Sequence, residues 1–143
     1  MVPGGVKELQ LSRSGSLQIE FNGSHKGFVK LALRHGVSII PTLGVGETEV
    51  FDAIEVPFFS QLCRRLGMPF PYFTGLGGIW QIPRRPKVTV IVGSPIPVPK
   101  VESPDQELID KIHKEFYLQT IELFEKYKNQ LGYSQHSISV KYL

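Results

Sequence analysis

A long amphipathic helix near the C-terminus places the strongest constraint on how this 143-residue chain can fold. Ser103 is suited to the N-cap, Pro104 to the first helical position and Gln106 to a capping box, while Gly132 suits the left-handed position after the last turn. Apolar side chains recur on one face at three- and four-residue spacing: Ile109, Ile112, Phe116, either Leu123 or Phe124, Tyr127 and Leu131. Such a helix is roughly 40 Å long, and we expect it to lie across a sheet.

A strand, a helix and a second strand are predicted upstream. Apolar and polar residues alternate from Leu17 to Phe21, which is typical of a half-buried strand. Ser24 and Gly36 are suited to the two ends of an apolar helix over about residues 25–35. The apolar run 37–41 then predicts a buried strand. This order favours an α/β fold with some parallel sheet.

Other segments carry weaker local signals. The pattern predicts a strand over 87–93, an extended proline-rich segment over 94–100, a terminal strand over 138–142, and short helices over 6–11 and 58–66. We find no internal repeat and no clear domain boundary, so residues 1–143 are interpreted as a single domain.

Composition excludes several classes of protein. The net charge of +3 reflects a small excess of lysine and arginine, which gives no support for nucleic-acid binding. The single cysteine, Cys63, excludes an internal disulfide framework and is interpreted as a buried structural thiol. No window approaches the ~20 apolar residues that a membrane-spanning helix needs. No metal-ligand spacing is present, and the four scattered histidines are interpreted as structural or solvated.

Several sequence blocks occur in a specific order. They are PGGVKE at 3–8, HKGFVKLAL at 25–33, VSIIPTLGVGE ending at Glu47, IPRRP at 82–86, VTVIVGSPIPVPK at 88–100, and the terminal helix with LFEKYK. Together they resemble the type-2 diacylglycerol acyltransferase family over nearly the whole chain. The resemblance implies an incomplete α/β sandwich, the C-terminal part of the glycerolipid acyltransferase fold, with a long C-terminal helix.

The resemblance also implies a reaction and a cellular setting. Acyl-CoA, as co-substrate, would acylate diacylglycerol or a related lipid alcohol in triacylglycerol synthesis, at the endoplasmic reticulum membrane or a lipid droplet. No bound cofactor is implied, and homo-oligomerisation stays open. In the family, a histidine in a His-Pro-His-Gly motif takes the hydroxyl proton. This sequence lacks that motif, so we expect a partial domain that is inactive alone. The alternative is a non-catalytic lipid- or CoA-binding module, or a truncated regulator of a full-length relative.

Ten residues in these blocks are predicted to contact substrate: Gly4, Gly5, Glu8, Lys26, Gly27, Phe28, Gly46, Glu47, Arg84 and Arg85. Glycines at positions 4 and 5 let backbone amides approach an oxyanion or a phosphate, and Glu8 could orient a base or a hydroxyl. The competing interpretation is a tight turn followed by an acidic residue at a helix start.

The other substrate contacts also have structural alternatives. Lys26, at the positive end of a helix, could hold a CoA phosphate, or it could be a solvated lysine. Gly46 and Glu47 are interpreted as a cleft wall, with a plain turn as the alternative. Arg84 and Arg85 could contact lipid headgroups or CoA phosphates, although surface arginines need no such role.

An aromatic segment over 58–73 is the predicted contact with acyl chains or a membrane surface. Its candidate residues are Phe58, Phe59, Phe70 and Phe73. Aromatic rings next to Arg64 and Arg65 suit a membrane interface, because the rings bury while the cations meet headgroups. A capping subdomain that only completes the core explains the same composition.

Overall fold

The predicted long C-terminal helix is present, and the described strands form two-stranded sheets. The computed structural model describes residues 17–53, 73–79 and 82–142. The elements in chain order are β1 Gln18–Asn22, α1 Gly27–His35, β2 Thr42–Val45, β3 Asp52–Ala53, β4 Phe73–Thr74, β5 Thr89–Val92, α2 Gln106–Leu131 and β6 Ser137–Lys141. The α/β class and the long C-terminal helix are therefore confirmed. The helices predicted over 6–11 and 58–66 lie outside the described residues.

The start of α2 differs from the prediction. Asp105, and not Ser103, is the N-cap, and its Oδ1 accepts a hydrogen bond from the Leu108 amide at 2.7 Å. A carboxylate at the positive end of a helix is a stronger acceptor than a hydroxyl, which explains the shift. Gly132 ends the helix as predicted, with φ 85° and its own amide bonded to the Asn129 carbonyl.

The start of α1 also differs from the prediction, whereas its end does not. The first helical hydrogen bond runs from the Lys30 amide to the Lys26 carbonyl at 3.2 Å. Lys26 is therefore the N-cap instead of Ser24. Gly36 adopts φ 64°, and the Val37 amide bonds back to the Ala32 carbonyl at 3.1 Å. This is the expected left-handed helix end.

Strand pairing corrects the predicted strand–helix–strand unit. β1 pairs in parallel with β6 at the other end of the chain, while β2 pairs with β5 and β3 with β4, both antiparallel. The run 37–41 is not a strand, because the Val37 amide is used to close α1 and only Ile39 forms a bridge, with Ile96. Val37 and Ile40 are 54% and 49% exposed. The second strand instead begins at Thr42.

Within the described part of the chain, two core clusters pack on α2. Val29 and Leu33 of α1 pack with Ile109 and Ile112 near the start of α2. Leu43 and Val45 of β2 pack with Phe124 near its end. The choice left open on the apolar stripe is therefore resolved in favour of Phe124. The predicted stripe missed three further buried residues on this helix, which are His113, Tyr117 and Thr120.

His113 is buried in an aromatic environment. Its side chain is 2% exposed, and its ring lies 5.0 Å from Tyr117 and 6.0 Å from Phe28. Its Nε2 has no hydrogen-bond partner in the described part of the chain. Burial, followed by the nearby Lys26 ammonium, lowers the pKa of His113 below 6.5, although Asp110 and a hydrogen bond with the His25 backbone oppose this shift. The imidazole of His113 is therefore favoured in its neutral form and has a structural role in the core.

Lowering the pH is expected to reduce the stability of the parent protein by more than it reduces the stability of a His113→Leu variant. The unfolded chain protonates this histidine below about pH 6.5, while the folded chain takes up that proton only at lower pH. Stability that is present above the unfolded pKa is therefore lost as the pH falls. Urea unfolding at about pH 7.5 and about pH 5.5 measures the difference. An equal loss of stability in both proteins would contradict this assignment.

Candidate functional site

A glycine turn follows β2 and makes a close backbone contact. Gly46 has φ 93° and ψ −7°, and residues Glu47–Glu49 continue as a short 3-10 turn. A Cβ at position 46 would lie 2.5 Å from the Lys87 carbonyl oxygen and 3.4 Å from Tyr133 Oη. Glycine is therefore required here both for its left-handed backbone and for the space.

A cavity opens beside this turn. Its volume is about 310 Å³, and Val45 and Glu49 line it from the two sides of the turn. The remaining lining residues come from β5 and its approach, and from the end of α2 and the turn after it: Lys87, Thr89, Leu131, Gly132, Tyr133 and His136. Glu47 is not one of the described lining residues, and its Oε2 lies 3.0 Å from the Cβ position of Gly44. The acidic residue in the cavity is Glu49, two positions later.

Two hydrogen bonds fix the polar end of this cavity. Tyr133 Oη donates to Glu49 Oε1 at 2.8 Å, and the His136 amide donates to the Tyr133 carbonyl at 2.9 Å. The two rings meet edge to face at 4.7 Å. Burial first, and then the Glu49 carboxylate, raise the pKa of Tyr133 to about 12. The phenol therefore stays protonated at neutral pH and remains a hydrogen-bond donor.

Lys26, Gly27 and Phe28 lie together at the start of α1. Lys26 Nζ pairs with Asp110 Oδ1 at 2.8 Å, and Gln106 donates to the same oxygen at 2.6 Å. The hydrogen bonds from Lys26 and then Gln106 lower the pKa of Asp110. A phosphate at Lys26 would have to share the ammonium with this carboxylate. Phe28 packs against Phe116 at 5.0 Å, and a Cβ at Gly27 would meet nothing within 4 Å.

The fold separates these residues from the glycine turn. The Lys26 group contacts the first turns of α2 through Asp110, whereas the cavity includes Leu131 at the end of the same helix. At roughly 1.5 Å per residue, the two sites are about 30 Å apart along the helix. Among the predicted residues that the structure describes, Lys26 and Gly46 therefore belong to separate places on the protein.

Arg84 lies beside the end of the 3-10 turn that follows Gly46. Its guanidinium makes a two-armed ion pair with Asp52, with Nη1 3.1 Å from Oδ1 and Nη2 in contact with Oδ2. Its amide also donates to the Val50 carbonyl at 2.9 Å. Much of its donor capacity is thus used within the protein, while Arg85 beside it is exposed. This geometry favours a structural role for Arg84.

Some predicted contacts fall outside the described residues. They are Gly4, Gly5, Glu8, Phe58, Phe59 and Phe70, and their roles stay predictions. Phe73 belongs to β4, where its backbone alone is described. Within residues 17–53, 73–79 and 82–142, no helix has the length and apolar character needed to cross a membrane. The same residues contain no group of three or more His, Cys, Asp or Glu side chains placed to hold a metal.

Sequence reasoning missed five polar residues of the cavity. Glu49, then Lys87 and Thr89, and finally Tyr133 and His136 come from three separate parts of the chain and belong to no shared motif. The one usable signal was Gly132, because a left-handed helix end directs the following residues back across the last turn. That signal places Tyr133 next to α2 but does not reveal its partner.

Comparison with known proteins gives a consistent group of relatives. A family model described as diacylglycerol acyltransferase matches residues 1–140. The chain is 34% identical over 146 residues to acyl-CoA wax alcohol acyltransferase 2 of Mus musculus, covering 94% of this chain and 44% of that protein. It is 32% identical over 152 residues to 2-acylglycerol O-acyltransferase 1 of Homo sapiens, covering 98% and 45% respectively. The chain thus spans less than half the length of these relatives. No solved structure matches it.

Proposed function

The chain belongs to the diacylglycerol acyltransferase family, and we propose that it serves in the acyl-CoA-dependent acylation of a lipid hydroxyl. The acceptor is diacylglycerol or a related alcohol, and the setting is the endoplasmic reticulum membrane or a lipid-droplet surface. The supporting observation is the Gly46 turn, which belongs to the matched region and borders a cavity with convergent polar groups. Such a cavity is a typical ligand site.

In this proposal the chain holds substrate while a base from elsewhere carries out the proton transfer. The acceptor oxygen attacks the thioester carbonyl carbon, the base takes the hydroxyl proton, and the carbon–sulfur bond breaks to release CoA as a thiol. The 143-residue sequence has no His-Pro-His-Gly. Of the described histidines, His113 is enclosed by aromatic rings and is unsuited to meet a hydroxyl.

The experiment is a segment exchange with a relative. We expect the purified chain alone to form no product from labelled acyl-CoA and diacylglycerol or a wax alcohol. We expect product when the chain replaces the matching segment of human 2-acylglycerol O-acyltransferase 1, because the base and the substrate contacts are then joined. The segment of mouse wax alcohol acyltransferase 2, placed in the same position, is the matched control.

Two results would overturn the proposal. Turnover by the chain alone would show that the reaction needs no base beyond these residues. An inactive but folded exchange protein, alongside an active control exchange, would remove the substrate-holding role. Acyl-CoA binding by that inactive protein would then favour a non-catalytic CoA-binding module.

A further inference from the structure

The cavity beside Gly46 is lined by side chains of both charges, by uncharged polar groups and by apolar side chains. Among the described residues that line it, Lys87 and Glu49 carry the charged side chains, one of each sign. The Tyr133 phenol hydrogen-bonds to that carboxylate at 2.8 Å, and the Thr89 hydroxyl supplies a further polar group. Val45 and Leu131 add apolar wall.

This balance disfavours a charged ligand. The C-terminal end of α2 reaches the cavity at Leu131 and Gly132, and a helix C-terminus carries a partial negative charge. An anion such as a CoA phosphate would meet that charge and the Glu49 carboxylate. A cation would meet the Lys87 ammonium. A neutral ligand that both donates and accepts hydrogen bonds meets neither penalty.

His136 supports an occupant that forms hydrogen bonds. Its Nδ1 is buried and has no partner within the described residues. The ring is held against Tyr133 at 4.7 Å, so it cannot swing into solvent without losing that contact. Buried polar atoms in native proteins are nearly always satisfied, so an unpartnered nitrogen in a residue that lines the cavity is a candidate hydrogen-bond partner for an occupant.

The volume limits the size of the occupant. At about 310 Å³ the cavity is near the lower end of the range for small-molecule sites, roughly 300–1,000 Å³. A whole lipid with its acyl chains exceeds that space. A glycerol-sized head with the first carbons of one chain fits, with its hydroxyls toward Glu49, Tyr133 and His136 and its methylenes toward Val45 and Leu131.

We propose that this cavity binds the hydroxyl-bearing, uncharged head of the acyl acceptor. The identification of the occupant as an acceptor rests on the proposed acyltransferase function. The existence of the cavity rests only on its lining residues in the described part of the chain, and not on the proposed function. The acceptor head then lies at the C-terminal end of α2.

A binding experiment on the full 143-residue chain tests the proposal. The probe is monobutyrin, a water-soluble glycerol monoester, titrated while the His136 and Tyr133 ring resonances are followed by NMR. We expect saturable shifts at both rings. Tyr133→Phe and His136→Gln are each expected to weaken binding about fivefold, the loss of about one hydrogen bond. Tyr142→Phe and His35→Gln, which alter exposed residues away from the cavity, are matched controls with no expected change.

Each outcome of this experiment is decisive. Glycerol 3-phosphate is the charged counterpart, and binding tighter than that of monobutyrin would overturn the neutral-head assignment. Monobutyrin shifts that are absent, or equal in folded cavity variants and controls, would overturn it as well. If monobutyrin binds here but the exchange protein transfers no acyl group, both the proposed function and the acceptor role of the cavity are refuted. If the exchange protein transfers an acyl group but monobutyrin does not bind here, only the assignment of the cavity is refuted.

Discussion

Replacing Gly46 with alanine is expected to destabilise the protein by about 3 kcal/mol or more. Two effects add at this position. The left-handed backbone, with φ 93°, costs a residue with a side chain roughly 1–2 kcal/mol. The new Cβ would also lie 2.5 Å from the Lys87 carbonyl oxygen, which is backbone and cannot rotate away. Either β2 or the segment before β5 has to shift, and both support the cavity.

Gly132 provides the control for this change. It is also left-handed, with φ 85°, but a Cβ there would meet nothing within 4 Å. Gly132→Ala therefore measures the backbone cost alone, about 1–2 kcal/mol. Urea unfolding of both variants separates the two effects. If Gly46→Ala cost no more than Gly132→Ala, the close approach of Gly46 to Lys87 would be refuted.

Local signals in the sequence predicted the elements better than their partners. The left-handed ends at Gly36 and Gly132 depend on the residue itself, and both are observed. The pairing of β1 with β6 joins segments near opposite ends of the chain, so no local pattern specifies it. The run 37–41 is as apolar as a buried strand, yet its position directly after a helix end uses the Val37 amide for closure. The conformation of residues 37–41 is therefore determined by their tertiary context and not by their own apolar pattern.

The candidate site also shows that local signals in the sequence predict turns better than the contacts between them. The glycine-rich signal identified Gly46, because its requirement comes from the backbone. The cavity depends on Lys87, Tyr133 and His136, which reach it only after β2 pairs with β5 and α2 packs on both. Lys26 was correctly expected at a helix start, but its pairing with Asp110 places it about 30 Å away along α2. A motif identifies a residue type and a turn, whereas packing determines which turns meet.

Replacing Phe124 with alanine is expected to cost about 3–5 kcal/mol. Phe124 is 0% exposed and packs on Leu43 and Val45, so its removal leaves a hole between α2 and β2. The surrounding strands are short and paired, which limits collapse into that hole. Chemical unfolding of the variant and the parent chain measures the loss.

The consequences of this change extend to the cavity, because the same contact positions β2. Val45 packs on Phe124 and also lines the cavity immediately before Gly46. We therefore expect Phe124→Ala to broaden the Tyr133 and His136 ring resonances even where the chain remains folded. Leu118→Ala on the same helix, at a side chain 46% exposed, is the control and is expected to change stability by less than about 0.5 kcal/mol. Unchanged ring resonances in folded Phe124→Ala would mean that the glycine turn holds the cavity without support from the core.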